Sequence, residues 1–176
     1  MTMIFLKEPT QCHLWKEENM PSNDKEMADN FDDVRAFEDL DEPDVDRLVC
    51  KCNQCGQTYF YEILNMWNGS VYVNIIPVEN EKEAEKMKNL SRYDILKYVP
   101  RIEDGASVGE KRTGYRWLKR EHRTDAEWDA TADDIDKRIK IVKGLYVKAK
   151  ADFEDRIAGE KQSTNQSAFA KSDLNC

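Results

Sequence analysis

Three cysteines fall within six residues, Cys50-Lys51-Cys52-Asn53-Gln54-Cys55, and Gly56 follows them. Cys52-x-x-Cys55-Gly56 has the spacing of a zinc knuckle, in which two thiolates grip one metal and a glycine lets the backbone turn sharply after the second ligand. A closed zinc site needs four ligands, and this cluster offers three at most. Cys12 and His13 are the suppliers within reach of the argument, because His122 sits in a basic stretch and Cys176 ends a polar tail. The preferred set is the tetrathiolate Cys12, Cys50, Cys52 and Cys55. Cys50 is its most strained member. One residue between Cys50 and Cys52 makes a tight chelate, although on a strand both side chains point the same way. His13 is the substitute ligand.

The metal read here is a structural zinc. A catalytic zinc keeps a position open for water and uses a nearby carboxylate or histidine as base. The chain has two histidines, and nothing marks Glu62, the nearest downstream carboxylate, as that base. A redox dithiol is the competing chemistry, but such motifs open a helix after a strand, and here a strand-like stretch follows the cysteines. Buried free thiols are the plain alternative; three in six residues followed by glycine argue against it. Five cysteines in all, an odd number, and no export signal fit metal ligation better than a disulfide framework. No Gly-rich phosphate loop, nucleophile beside a histidine, H-x-x-x-H or paired-carboxylate motif is visible, so a non-enzyme is expected.

Charge is segregated along the chain. Residues 1–48 carry 14 Asp or Glu against 5 Lys or Arg, whereas the whole chain is −8, so the remainder is close to neutral. The densest run is Asp29, Asp32, Asp33, Glu38, Asp39, Asp41, Glu42, Asp44 and Asp46, opposed only by Arg35. Such a field repels phosphates and attracts a basic partner. No apolar stretch approaches the length of a membrane span or a signal peptide, which predicts a cytoplasmic protein with no membrane partner.

The elements that must position these groups follow from pattern. An extended N-terminal arm leads to Cys12. Pro21-Ser22-Asn23-Asp24 provides cap chemistry for a helix from Asp24 to Leu40, with Met27, Phe31, Val34 and Phe37 as its apolar stripe. Gln57 to Leu64 and Ser70 to Val78 read as strands around a turn containing Asn68-Gly69. A knuckle leading into a hairpin is a zinc-ribbon arrangement. Glu79 to Asn89 and the stretch before Pro100 read as short helices, and 104–109 as a loop. Thr124 or Asp125 caps a long helix through about Ile157. Its heptad seam is Trp128, Ala132, Ile135, Ile139, Val142, Tyr146, Ala149 and Phe153. The fold class is therefore α+β, with a zinc-ribbon-like centre over 1–105, a basic segment and long helix over 106–158, and a disordered tail over 159–176.

The stretch from Leu48 to Glu62, with Cys12 upstream and Ile75-Ile76-Pro77-Val78 after it, resembles a loose group of small bacterial proteins. Their pattern is an early cysteine, C-x-x-C-G-Q and an aromatic strand; some are believed to be immunity factors beside polymorphic toxins. The resemblance covers roughly residues 10–100 and implies zinc at Cys12, Cys52 and Cys55 and a role in binding.

Two segments lie outside it. Lys111 to Arg123 holds six Lys or Arg with Tyr115 and Trp117 interleaved. Arg112, Arg116, Trp117, Lys119, Arg120 and Arg123 could grip phosphate and stack bases. The competing and favoured reading docks this segment on the chain's own acidic surface with Trp117 in the core. The heptad seam either packs on the domain or pairs with a second copy. The function expected is a non-enzymatic inhibitor or immunity-type protein. It would neutralise a basic macromolecule, nuclease- or toxin-like, with a zinc-ribbon nucleic-acid regulator as the alternative.

Overall fold

Aromatic and β-branched residues recur along three consecutive segments, and these form the central meander: β3 (Val45–Cys52), β4 (Thr58–Asn65) and β5 (Val71–Val78). The computed structural model describes residues 2–42, 44–66, 69–106 and 114–172, and for Ala106 and 159–172 the backbone alone. It divides into two compact units, Met1–Asp136 and Lys137–Cys176.

In the first unit, β2 (Phe31–Ala36) adds to one side of the meander, and β7 (Arg101–Ala106) and β8 (Arg116–Leu118) add to the other. The result is a six-stranded antiparallel sheet in the order β2-β3-β4-β5-β7-β8. The fold is thus α+β, and the hairpin expected to be pinned by metal is the middle of this larger sheet. A separate parallel pair joins β1 (Ile4–Phe5) to β6 (Tyr98–Val99). The remaining elements are α1 (Asp24–Ala28), α2 (Glu81–Met87), α3 (Arg92–Ile95) and α4 (Asp125–Ser172).

The period-two alternation of the strands sorts the core into two clusters. Cys50, Cys52, Tyr59 and Ile75 join Leu14 of the N-terminal arm and Met27 of α1. Their sequence neighbours Val49, Phe60 and Ile76 join Ala84 and Met87 of α2 and Ile95 of α3. A buried polar network fixes the α2 side. Arg47 donates from Nε and Nη2 to Glu62 Oε2 at 2.9 and 2.5 Å, and from Nη1 to the carbonyls of Lys88 and Leu90 at 2.6 and 2.7 Å. Asn74 Nδ2 donates to Glu62 Oε1 at 3.1 Å. Burial pushes the Glu62 carboxyl up against the opposing pull of Arg47.

Two sequence expectations change in the sheet. The helix from Asp24 to Leu40 is a five-residue α1 followed by strand β2. Phe31 and Phe37 are buried, but Val34, on the expected apolar stripe, is 59% exposed. The cause is tertiary: β2 pairs with β3 through Phe31↔Cys52 and Ala36↔Leu48, with a register shift between Asp32 and Arg35. Asp33 there takes a positive φ of 52°, a conformation that would interrupt a helix. Asp104 to Ala106, expected in a loop, ends β7, where Gly105 pairs with Tyr72. A Cβ at Gly105 would come within 2.5 Å of the Tyr72 ring, which is the packing reason for glycine in that strand. Residues 107–109 of that loop lie outside the described residues.

α4 begins where expected. Thr124 and Glu127 form a reciprocal cap, the Thr124 amide donating to Glu127 Oε2 at 2.8 Å and the Glu127 amide to Thr124 Oγ1 at 3.4 Å. Its helical backbone continues through Ser172, past Gly159, from which composition reads as a disordered tail. The heptad seam is not uniform. Trp128, Ala132 and Ile135 are buried in the first unit; in the second, Ile139 is buried while Val142, Tyr146 and Phe153 are exposed.

Candidate metal centre

The three ligand segments are brought together by the sheet and by what packs on it. Cys52 is the last residue of β3, and the connection to β4 turns back on itself: the Gly56 amide donates to the Cys52 carbonyl at 2.8 Å, and the Cys52 amide to the Gln57 carbonyl at 2.9 Å. Gly56 takes φ +73°, the left-handed conformation that glycine adopts without penalty. The turn returns Cys55 toward Cys52. Cys12 arrives from the N-terminal arm, just before a single 3₁₀ turn at His13–Trp15.

Residues of the basic segment hold that arm. Trp117 of β8 is buried, donates from Nε1 to the Leu14 carbonyl at 2.6 Å, and meets Trp15 edge-on at 4.8 Å. Tyr115 donates to Asp24 Oδ1 at 2.6 Å, tying α1 to the same strand region.

The result is that the Sγ atoms of Cys12, Cys52 and Cys55 all lie within 4.8 Å of one another, although Cys12 and Cys52 are 40 positions apart in sequence. These three residues could hold a metal ion. Cys12 and Cys52 are buried and Cys55 is exposed. Cys12 and Cys55 also border an open cleft of about 830 Å³ shared with Gly56, Gln57 and Pro77, which gives an ion a path from solution.

Burial pushes the Cys12 thiol up to about 12, so ligation would have to displace its proton. The Tyr59 hydroxyl is buried beside Cys12 and makes no other hydrogen bond among the described residues. Burial first, and then the neighbouring Cys12, push its pKa up. A hydroxyl donor beside the Cys12 thiol suits a ligating thiolate, which would accept its hydrogen bond.

Cys50 is not in the group. It belongs to the core beneath β3, its Sγ 3.9 Å from the Tyr59 carbonyl oxygen, and burial pushes it up to about 12. Residues two apart on a strand share a face but stay roughly 6.5 Å apart along it. The tetrathiolate therefore does not assemble around this trio. His13, the substitute, is at the rim: its Nδ1 is 3.5 Å from Cys52 Sγ.

The other predicted site residues fall on two surfaces. Asp29 caps α1; Asp32 and Asp33 lie on β2, the outer edge strand; Glu38, Asp39, Asp41, Glu42, Asp44 and Asp46 follow on the connection to β3 and its start. Asp33 is 3.5 Å from Lys51 Nζ, Glu42 accepts from Arg92 Nε at 2.7 Å, and Asp46 accepts from Asn65. Asp29, Asp32, Glu38, Asp39, Asp41 and Asp44 are exposed and form no salt bridge among the described residues.

The basic segment is engaged with the chain itself. Arg116 pairs with Glu103, and the cations of Lys119, Arg120 and Arg123 sit over the rings of Trp15, Phe5 and Trp128. Buried Trp117 cannot stack on a base. Arg112 lies outside the described residues. Sequence patterning offers no signal for Asn30, Tyr59 or Trp117 around the metal site, because each acts through a contact distant in sequence. Among the described residues, no helix is long and apolar enough to cross a membrane. Comparison with protein-family models, with curated proteins and with solved structures finds no match.

Proposed function

We propose that this is a non-enzymatic protein that binds and neutralises a basic macromolecule, of nuclease or toxin type, through its acidic edge, with zinc at Cys12, Cys52 and Cys55 as a structural staple. The carrying observation is the run of exposed acids along edge strand β2 and the β2–β3 connection, most of which form no salt bridge among the described residues, although Lys88 lies near enough to feel Asp39 and Asp41. Unneutralised charge on one border raises the local potential and steers an oppositely charged partner. The positive φ angles of Asp33, Asp39 and Asp44, at 52°, 54° and 61°, shape this border as a series of turns. The same acids also guard an open sheet edge against pairing with other copies. The partner reading differs in requiring salt-sensitive association with a basic protein.

The staple supports this surface from below. Asn53, inside the knuckle, donates from its amide to the Asn30 carbonyl at 3.0 Å and from Nδ2 to the Asp29 carbonyl at 2.7 Å. The knuckle thus grips the residues that lead into β2. The test is affinity purification of the partner from the native host, followed by association kinetics with the quadruple variant D32N/D33N/D39N/D41N. The reading requires a slower association rate and a flatter salt dependence. Unchanged kinetics would sink it.

A further inference from the structure

We infer that His13, through Nδ1, is the fourth ligand of the metal centre, with Asn30 as the residue that sets its tautomer and orientation. This rests on the reading that the Cys12, Cys52 and Cys55 trio binds a metal, and it replaces the expected tetrathiolate with a Cys₃His set.

Three observations converge. The first is distance. In a tetrahedral site with metal–sulfur bonds of about 2.3 Å and metal–nitrogen bonds of about 2.0 Å, a sulfur and a nitrogen ligand are separated by roughly 3.5 Å. His13 Nδ1 lies 3.5 Å from Cys52 Sγ. The ring does not share the mutual spacing of the three thiols. Ligation therefore requires Cys12 and Cys55 to draw in toward it, Cys55 from an exposed turn.

The second is the proton. His13 Nε2 is 2.7 Å from Asn30 Oδ1, and Asn30 Nδ2 donates to the Glu26 carbonyl at 2.7 Å. A carbonyl accepts only, so the Glu26 contact identifies which end of the Asn30 amide carries its hydrogens. The oxygen end therefore faces His13, and Nε2 must be the protonated nitrogen. That leaves the lone pair on Nδ1, the atom turned toward Cys52. A second partner on the far ring nitrogen is the usual outer-shell arrangement of a metal-bound histidine.

The third is anchorage. The His13 carbonyl accepts from Asn19 Nδ2 at 2.8 Å, and Trp117 holds the next residue's carbonyl. The backbone that presents the ring is fixed from both sides.

The competing account is an S–H···N hydrogen bond from Cys52 to the ring, with no role in ligation. X-ray absorption of the zinc-loaded full-length wild type separates the two and depends on no variant folding. Three sulfurs and one nitrogen are expected in the first shell. Four sulfurs, or three sulfurs and a water oxygen with no imidazole scattering, would overturn the inference while leaving the metal reading intact. Failure of the wild type to bind zinc at all would overturn both. In cobalt titrations, H13A should change the visible spectrum and weaken affinity, whereas C50S should change neither. N30A should weaken affinity about 10- to 100-fold. An H13A spectrum identical to wild type, or an N30A affinity equal to wild type, would count against the assignment.

Discussion

Replacing Trp117 with phenylalanine tests whether the basic segment is scaffold for the metal centre. The indole is 3% exposed, and its Nε1 donates to the Leu14 carbonyl at 2.6 Å. Phenylalanine keeps the aromatic face toward Trp15 but removes that donor, leaving a buried carbonyl unsatisfied at about 1–3 kcal/mol. The smaller ring adds roughly 1 kcal/mol of lost packing. The expected destabilisation is about 2–4 kcal/mol. At roughly 2–4 °C per kcal/mol for a protein of this size, Tm should fall by about 5–15 °C. Leu14 lies two residues after Cys12, so loosening the arm should also weaken metal binding. Thermal unfolding with and without zinc, together with competition against a chromogenic chelator, reads both effects. The comparison variant is R116A, whose exposed pair with Glu103 is worth less than about 1 kcal/mol. A W117F protein that melted with wild type and held metal equally well would refute the reasoning that this tryptophan positions the ligand arm.

Chelation should lower Tm and zinc should restore it, with Cys12→Ser, Cys52→Ser or Cys55→Ser each abolishing the restoration in calorimetry. Gly56→Ala should cost roughly 1–2 kcal/mol in denaturant unfolding, from its left-handed backbone alone, since an added Cβ meets nothing within 4 Å among the described residues. Glu62→Gln leaves the Arg47 guanidinium buried without its counter-charge and should destabilise by about 3–5 kcal/mol in the same assay. Hydrogen bonds from the Ser22 backbone and hydroxyl hold the Glu26 carboxyl below its usual range. A depressed acid contributes stability above its unfolded pKa that is lost as pH falls through the folded value. NMR titration should therefore place Glu26 below the ordinary glutamate pKa of about 4.3.

Sequence by itself determined what is local. Aromatic and β-branched residues marked β4 and β5, the Thr124 cap marked α4, and Cys52-x-x-Cys55-Gly56 announced its turn because thiol spacing and a positive-φ residue are properties of five consecutive positions. The Asp24–Leu40 region was misread because Met27, Phe31, Val34 and Phe37 fit a helical stripe, and only pairing with β3 makes Phe31 a strand residue and sends Phe31 and Phe37 into different core clusters.

Tertiary structure decided the rest. It divided Cys50 from Cys52, both buried in one core cluster, because only Cys52, at the end of β3, lies beside Cys12 and Cys55. It joined Cys12 to Cys52 and Cys55 by docking the N-terminal arm with Trp117, more than a hundred positions away. It also supplied the rings and acids on which the described cations of the basic segment pack, the reading favoured from sequence over a nucleic-acid patch. Ligand type and local turn geometry are written in neighbouring residues; which ligands meet depends on strand pairing and core packing between residues far apart in the chain.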